Sequence, residues 1–122
     1  MADLTDSNFL HDWVVRTIAA KYSRIYTDIK INPGEEQNFE FNGTYPDVVF
    51  INYEQVTQIL EIETSDNVNE ERIEHWKKMS ELGAQLVILV PKESEKKMRN
   101  LSFDSGLAAK VKIGTFDVDI KI

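Results

Sequence analysis

The sequence predicts an α/β (α+β) fold: one mixed β-sheet flanked by helices, in the order α-β-β-β-α-β-α-β. Three observations predict it. Val48–Ile51 and Gln85–Val90 are continuous β-branched and aliphatic runs, the text of strands buried on both faces. Phe9, Leu10, Trp13, Val14, Ile18 and Tyr22 recur at helical spacing over residues 8–22. The second apolar run follows a helical segment, as in a crossover connection that covers a sheet.

Element by element, Asp6 or Ser7 can cap the first helix. Ile25–Ile31 alternates as a strand, and Asn32-Pro33-Gly34 ends it. Glu35–Phe41 reads as a short strand, with Asn42-Gly43 as a hairpin turn before Thr44. Val48–Ile51 is the buried strand, and Asn52-Tyr53-Glu54-Gln55 is short and polar enough to connect it to Thr57–Thr64. A helix begins at Ser65 or Asp66 and runs to about Leu82, closed by Gly83. Pro91 stops Gln85–Val90, and Lys92–Leu101 is helical. Lys110–Ile122 alternates as a last strand, with Gly114 at a bend or bulge. There are no repeats, linkers or low-complexity stretches, so residues 1–122 are expected to form a single domain.

Composition narrows the function classes. The hydrophobic fraction of 42% is ordinary for a globular chain, and no run is long or apolar enough to span a membrane. The start, MADLTDSNF, lacks a basic flank and an apolar segment, so no signal peptide is expected. With no Cys and two His, a structural zinc site and a nucleophilic Cys have nothing to be built from. No Gly-flanked nucleophilic Ser appears. The absence of Cys suits a reducing compartment, and a cytoplasmic location is expected.

The chemistry sits in PDVVFINYEQVTQILEIET, residues 46–64. Glu61 and Glu63 share one face of their strand, with Leu60 and Ile62 on the other. If the hairpin is centred on Glu54, cross-strand partners have numbers summing to 108. Asp47 then opposes Glu61, with Cβ atoms roughly 4.5–5.5 Å apart. Three carboxylates this close repel one another and take up protons unless a cation sits between them. A divalent metal is the obvious candidate, and Mg²⁺ prefers such oxygen ligands.

Pro46-Asp47, a spacer and then Glu61-Ile62-Glu63 resembles the PD-(D/E)XK nuclease superfamily of restriction enzymes, Holliday-junction resolvases and repair nucleases. The resemblance in arrangement covers most of the chain and implies a restriction endonuclease-like core. It also implies that Asp47 and Glu61 bind Mg²⁺, for which Mn²⁺ can substitute, with the backbone carbonyl of Ile62 as a third ligand. Glu63 stands where the family has Lys. Some restriction enzymes carry Glu there, acting as a base or as a ligand for a second metal, so Glu63 joins the expected catalytic and metal-binding residues. The implied activity is Mg²⁺-dependent hydrolysis of a nucleic-acid phosphodiester, with DNA the expected substrate. So small a chain would act as a homodimer, within a larger protein assembly, or by recognising DNA structure more than sequence.

Further residues follow from the same resemblance. Related nucleases place a Gln or Lys on the helix after the acidic strand, which offers His75, Lys77 and Lys78. Lys77 or Lys78 can replace the missing motif Lys, while Ile73, Trp76 and Met79 form that helix's buried stripe. Ordinary surface charge explains the lysines equally. His11 and Asp12 can add an acid or a base from the first helix, or be polar surface beside Trp13. Lys30 can reach in from a neighbouring strand.

Net charge of −7 opposes a nucleic-acid partner, but its distribution is uneven. Glu35–His75 carries 11 acidic residues against one basic, Arg72, whereas Lys92–Lys112 carries six basic against three acidic. Lys92, Lys96, Lys97 and Arg99, with Lys110 and Lys112, can contact phosphates. They can equally form a solvated helix face with i,i+4 pairs such as Glu93–Lys97. A second function class therefore stays open: a catalytically inactive module on the same fold, or an acidic immunity-like protein that binds a protein partner.

Overall fold

The computed structural model describes residues 7–117. In chain order it contains α1 (Ser7–Lys21), β1 (Asp28–Ile31), β2 (Val48–Asn52), β3 (Gln55–Ile62), α2 (Ile73–Ser80), β4 (Gln85–Pro91), α3 (Glu95–Asp104) and β5 (Val111–Phe116). This is the expected order, an α+β chain on one mixed five-stranded sheet with strands arranged β1-β2-β3-β4-β5. The first three strands form an antiparallel meander, and β3, β4 and β5 run parallel.

Topology follows from the connections. Short loops can only return a chain antiparallel, while parallel neighbours need a crossover. α2 and α3 supply the two crossovers. Both step in the same direction across the sheet, so right-handedness places them on the same face. They pack there over Val49, Ile51, Ile59, Leu86, Ile88, Val90 and Val111, with Trp76, Met79 and Met98 from the helices buried between. The other face is covered by α1, whose Val14, Val15 and Ile18 meet Val48, Phe50, Leu60 and Ile62. The period of two along each strand sorts these residues to their faces.

α1 covers only part of its face. Beside it lies an open cleft of about 510 Å³, floored by Phe50, Leu60, Val87, Leu89 and Phe116 and walled by Tyr22 and Tyr26. Tyr26 stacks on Phe50 with ring centroids 4.2 Å apart. Among the described residues, no helix is long and apolar enough to cross a membrane.

Several boundaries differ from expectation. Phe9 and Trp13 are exposed, and the buried stripe of α1 is Val14, Val15 and Ile18, with Leu10 and Tyr22 partly buried. Glu35–Phe41 is not a strand. Only Phe41 and Thr44 form a bridge there, across the Asn42-Gly43 turn, both of whose residues have positive φ. The segment after Ile62 starts with two 3-10 turns, Ser65–Asn67 and Glu70–Arg72, and becomes α-helical only at Ile73. Polar side chains compete for the backbone there: Thr64 Oγ1 donates to Asp66, and Asn69 Oδ1 accepts from the Glu71 N–H. Lys92–Ser94 is likewise a 3-10 turn before α3. Gly114 lies in a regular part of β5 opposite Leu89, with no bulge. A Cβ on it would stand 3.3 Å from Leu89 Cδ2, so close strand packing explains the glycine. The possible cap Asp6 and residues 118–122 of the expected last strand lie outside the described residues.

Candidate functional site

Three carboxylates meet where β2 begins and β3 ends. The ladder pairs Val48 with Leu60, Val49 with Ile59 and Phe50 with Gln58, all summing to 108, so Asp47 stands beside Glu61 as expected. The route to this register was not the expected one. The hairpin turn is Tyr53-Glu54, closed by Asn52 opposite Gln55, and one extra residue, Thr57, bulges between the Phe50 and Ile51 pairs. The bulge restores the register that a hairpin centred on Glu54 would have had. Thr57 Oγ1 donates to the Phe50 carbonyl and helps hold it in place.

Asp47 ties the two strands together at this end. Its Oδ2 accepts the Ile62 N–H at 2.8 Å, and its own N–H donates to Glu61 Oε2 at 3.3 Å. Asp47 lies just before β2, where a side chain from α1 reaches it. From α1, His11 Nε2 donates to Asp47 Oδ2 at 3.0 Å, while Nδ1 donates to Asp12 Oδ1 at 3.2 Å. Burial disfavours a charged His11, but the Asp47 carboxylate, with Asp12 behind it, outweighs that and lifts its pKa to about 9. At neutral pH His11 is an imidazolium with both N–H groups engaged.

Glu61 is nearly enclosed, with 5% of its side chain exposed, and its Oε1 lies 2.5 Å from His75 Nε2 on α2. Burial, then the neighbouring Asp47 and Glu63 charges, push the Glu61 carboxyl well above the usual range. Burial and the nearby Arg72 push His75 below its usual value. The two directions bring the carboxyl and the imidazole closer in their hold on a proton.

Glu63, 2% exposed, is gripped by Arg72 from the 3-10 turn before α2. Arg72 Nε donates to Oε2 at 3.0 Å and an Nη donates to Oε1 at 2.8 Å, the two-pronged geometry that suits guanidinium and carboxylate. Burial raises the Glu63 pKa, and Arg72 opposes that rise. The Glu63 N–H continues the sheet by donating to the Leu89 carbonyl.

No family model, curated protein or solved structure matches this chain.

The donors fit a hard cation in kind: Asp47 and Glu61 supply carboxylate oxygens at the end of the sheet. The Ile62 N–H points toward β2, so its carbonyl lies on the same side. Continuing the register sets it against Pro46, which has no N–H to donate. The counter-charge shown is the protein's own. Among the described residues, no three or more His, Asp or Glu side chains are already arranged to hold a metal. A metal at Asp47 and Glu61 would take over the places of His11 and His75.

The remaining expected residues lie apart from this centre. Lys77 is half-buried on α2 and, among the described residues, forms no ion pair with the carboxylates, whereas exposed Lys78 lies near enough to lower the His75 pKa. Lys30 pairs with Asp28 at 3.2 Å. Lys92, Lys96, Lys97 and Arg99 are exposed along the Lys92–Ser94 turn and α3, where Arg99 is engaged by Glu95 one turn earlier. This is the i,i+4 pattern of a solvated face, with Glu95–Arg99 as the pair. Ser94 Oγ contacts Ser65 Oγ at 3.2 Å, which ties the Lys92–Ser94 turn to the Ser65–Asn67 turn after β3. The open cleft on the α1 side includes none of these carboxylates.

Arg72 was the residue the sequence reading missed as part of the site. Its signal was present, as the only basic residue in a tract of eleven acids.

Proposed function

We propose that the chain is a Mg²⁺-dependent nuclease of the PD-(D/E)XK kind, hydrolysing a nucleic-acid phosphodiester, with DNA the expected substrate. The observation that carries this reading is the cross-strand meeting of Asp47 and Glu61, next to an Ile62 carbonyl on the side of Pro46. A sheet end with no chemistry has no physical need for two adjacent acids, one of them buried enough to hold a proton. The element order, which matches the core of the resembled nucleases, supports the same reading.

Asp47, Glu61 and the Ile62 carbonyl would hold the metal, which when bound lowers the pKa of its water and stabilises charge on phosphate oxygens. The chain's own residues complete the site. His75, one-third exposed and neutral at pH 7, can accept a proton at Nε2. His11 supplies positive charge against Asp47 and orders that carboxylate while no other cation is present. Glu63 gives both oxygens to Arg72 and keeps the guanidinium at the mouth of the site.

A second reading is favoured by one observation: the acids already have protein partners, the His11 imidazolium on Asp47, neutral His75 on Glu61 and Arg72 on Glu63. A cluster that neutralises itself in this way suits a non-catalytic module that binds a protein partner. Calorimetric titration of Mn²⁺ into wild type and Glu61→Gln separates the two readings without a guess about substrate. Binding that disappears in the variant is expected. No heat from wild type in excess metal would sink the nuclease and leave the module.

A further inference from the structure

Glu63 stands in place of a lysine, yet it does not sit alone. Its buried carboxylate is wholly occupied by Arg72, the one basic residue between Glu35 and His75. Arg72 is about one-third exposed, whereas Asp47, Glu61 and Glu63 lie deeper. A group entering the site therefore meets the guanidinium before it meets the acids. Burial disfavours the charged guanidinium, but Glu63, then Glu61 and Asp47, hold it firmly protonated. Two of its five N–H groups are committed to Glu63, and the planar fork leaves others to be offered elsewhere. Neutral His75 and then Lys78 follow at three-residue intervals along α2, so Lys78 adds a second positive group on the exposed side of the acidic cluster.

Building on the nuclease reading above, we propose that Arg72 is a phosphate-binding residue and that Glu63 is its positioning residue. Together they fill the role left by the absent motif lysine. Glu63 fixes the guanidinium plane through two hydrogen bonds, so that the remaining donors present a preformed fork to a phosphodiester oxygen. In this arrangement Glu63 touches neither substrate nor attacking water. The ligand class is a nucleic-acid backbone phosphate.

The test is fluorescence anisotropy of the full chain with labelled single-stranded and duplex DNA, in EDTA so that hydrolysis cannot intervene. Four proteins are compared: wild type, Arg72→Lys, Glu63→Gln and the neutral pair Glu63→Gln/Arg72→Gln. The neutral pair guards against a variant that fails to fold because one buried charge is orphaned, and melting curves confirm that each protein is folded. The neutral pair is expected to weaken binding about fivefold or more and to reduce the slope of log Kobs against log [salt] by about 1. Arg72→Lys keeps the charge but loses the fork, and is expected to fall between. Glu63→Gln is the sharpest variant. Removing a negative charge strengthens DNA binding if only the general field matters, whereas loss of positioning weakens it.

Weaker binding by Glu63→Gln supports the positioning role, and unchanged or tighter binding overturns it. DNA binding by the neutral pair equal to wild type overturns the phosphate site, as does a wild type that binds neither DNA. Cleavage in Mn²⁺ is scored separately. Arg72-dependent binding without cleavage removes the nuclease reading and leaves the phosphate site standing. Cleavage whose KM is indifferent to Arg72 does the reverse.

Discussion

His11 ties α1 to the end of the sheet through the Asp47 carboxylate, and its charge makes that joint depend on pH. The folded protein holds the His11 proton to about pH 9, against an ordinary value of 6.5. A raised pKa contributes stability in full below 6.5 and loses it as pH rises through 9; the shift corresponds to roughly 3 kcal/mol. Glu61 and Glu63, also raised, act in the same direction from 4.5 upward. His75 is lowered, so its contribution disappears as pH falls below 6.5 and does not enter this window. Urea unfolding at pH 6.5 and pH 9 should therefore show wild type losing stability, and His11→Gln should flatten that loss. A wild-type curve already flat across the window would remove the imidazolium. Arg72 makes a second residue-scale prediction. Arg72→Ala orphans a carboxylate that is 2% exposed and should cost about 2–4 kcal/mol, while the neutral pair Glu63→Gln/Arg72→Gln should cost less than that single change. Denaturant midpoints of the two variants decide it. The acids of this site were legible because carboxylates in apolar strand text demand a partner. Their protein partners were not, because His11, Arg72 and His75 come from segments whose approach only the packed helices determine.

At the scale of elements, strands were read from runs of β-branched residues and helices from periodicity, and both signals correspond to faces that are buried. Trp76 and Met79 fill the face of α2 that their spacing implied, with Ile73 packed partly against it. Phe9 and Trp13 show the limit of the method, since helical spacing cannot tell which edge of a wide apolar stripe the sheet will cover. The two hairpin turns make the same point about backbone. Asn42-Gly43 was legible because both residues favour positive φ. Tyr53 and Glu54 adopt φ values of 50° and 69° with residues that carry no such signal, and Thr57 bulges without any mark in the sequence. The expected register survived because the tighter turn and the bulge offset each other. The strained turn is testable. Tyr53→Asn/Glu54→Gly relieves left-handed strain while leaving the Tyr53 backbone N–H bond to Thr27 Oγ1 in place. It should stabilise the fold by about 1 kcal/mol, a rise of about 4 °C in thermal melting. A fall in Tm would mean that the exposed Tyr53 ring contributes more than the turn strain costs.

Across the whole molecule, a net charge of −7 stands against any polyanionic partner, and the fold answers by layering charge at the site. Acids lie deep at the sheet end, while Arg72, His75 and Lys78 border them nearer the surface. This layering couples two equilibria. On the nuclease reading, the His11 imidazolium and a divalent ion would compete for the Asp47 carboxylate, so either when bound would weaken the other. The competition gives a prediction that neither the nuclease reading nor the His11 pKa makes alone. At free metal about ten times its Kd, a ligand that binds only the native state adds about 1.4 kcal/mol. In a melting experiment this stabilisation by Mg²⁺ or Mn²⁺ should be small at pH 6.5 and grow toward pH 9, as His11 gives up its proton. In His11→Gln the growth should shrink to the part contributed by the raised Glu61 carboxyl, because no imidazolium remains to be displaced. A wild-type shift that is equal at both pH values would separate the metal from Asp47, and a shift absent at both would return the cluster to a purely structural role.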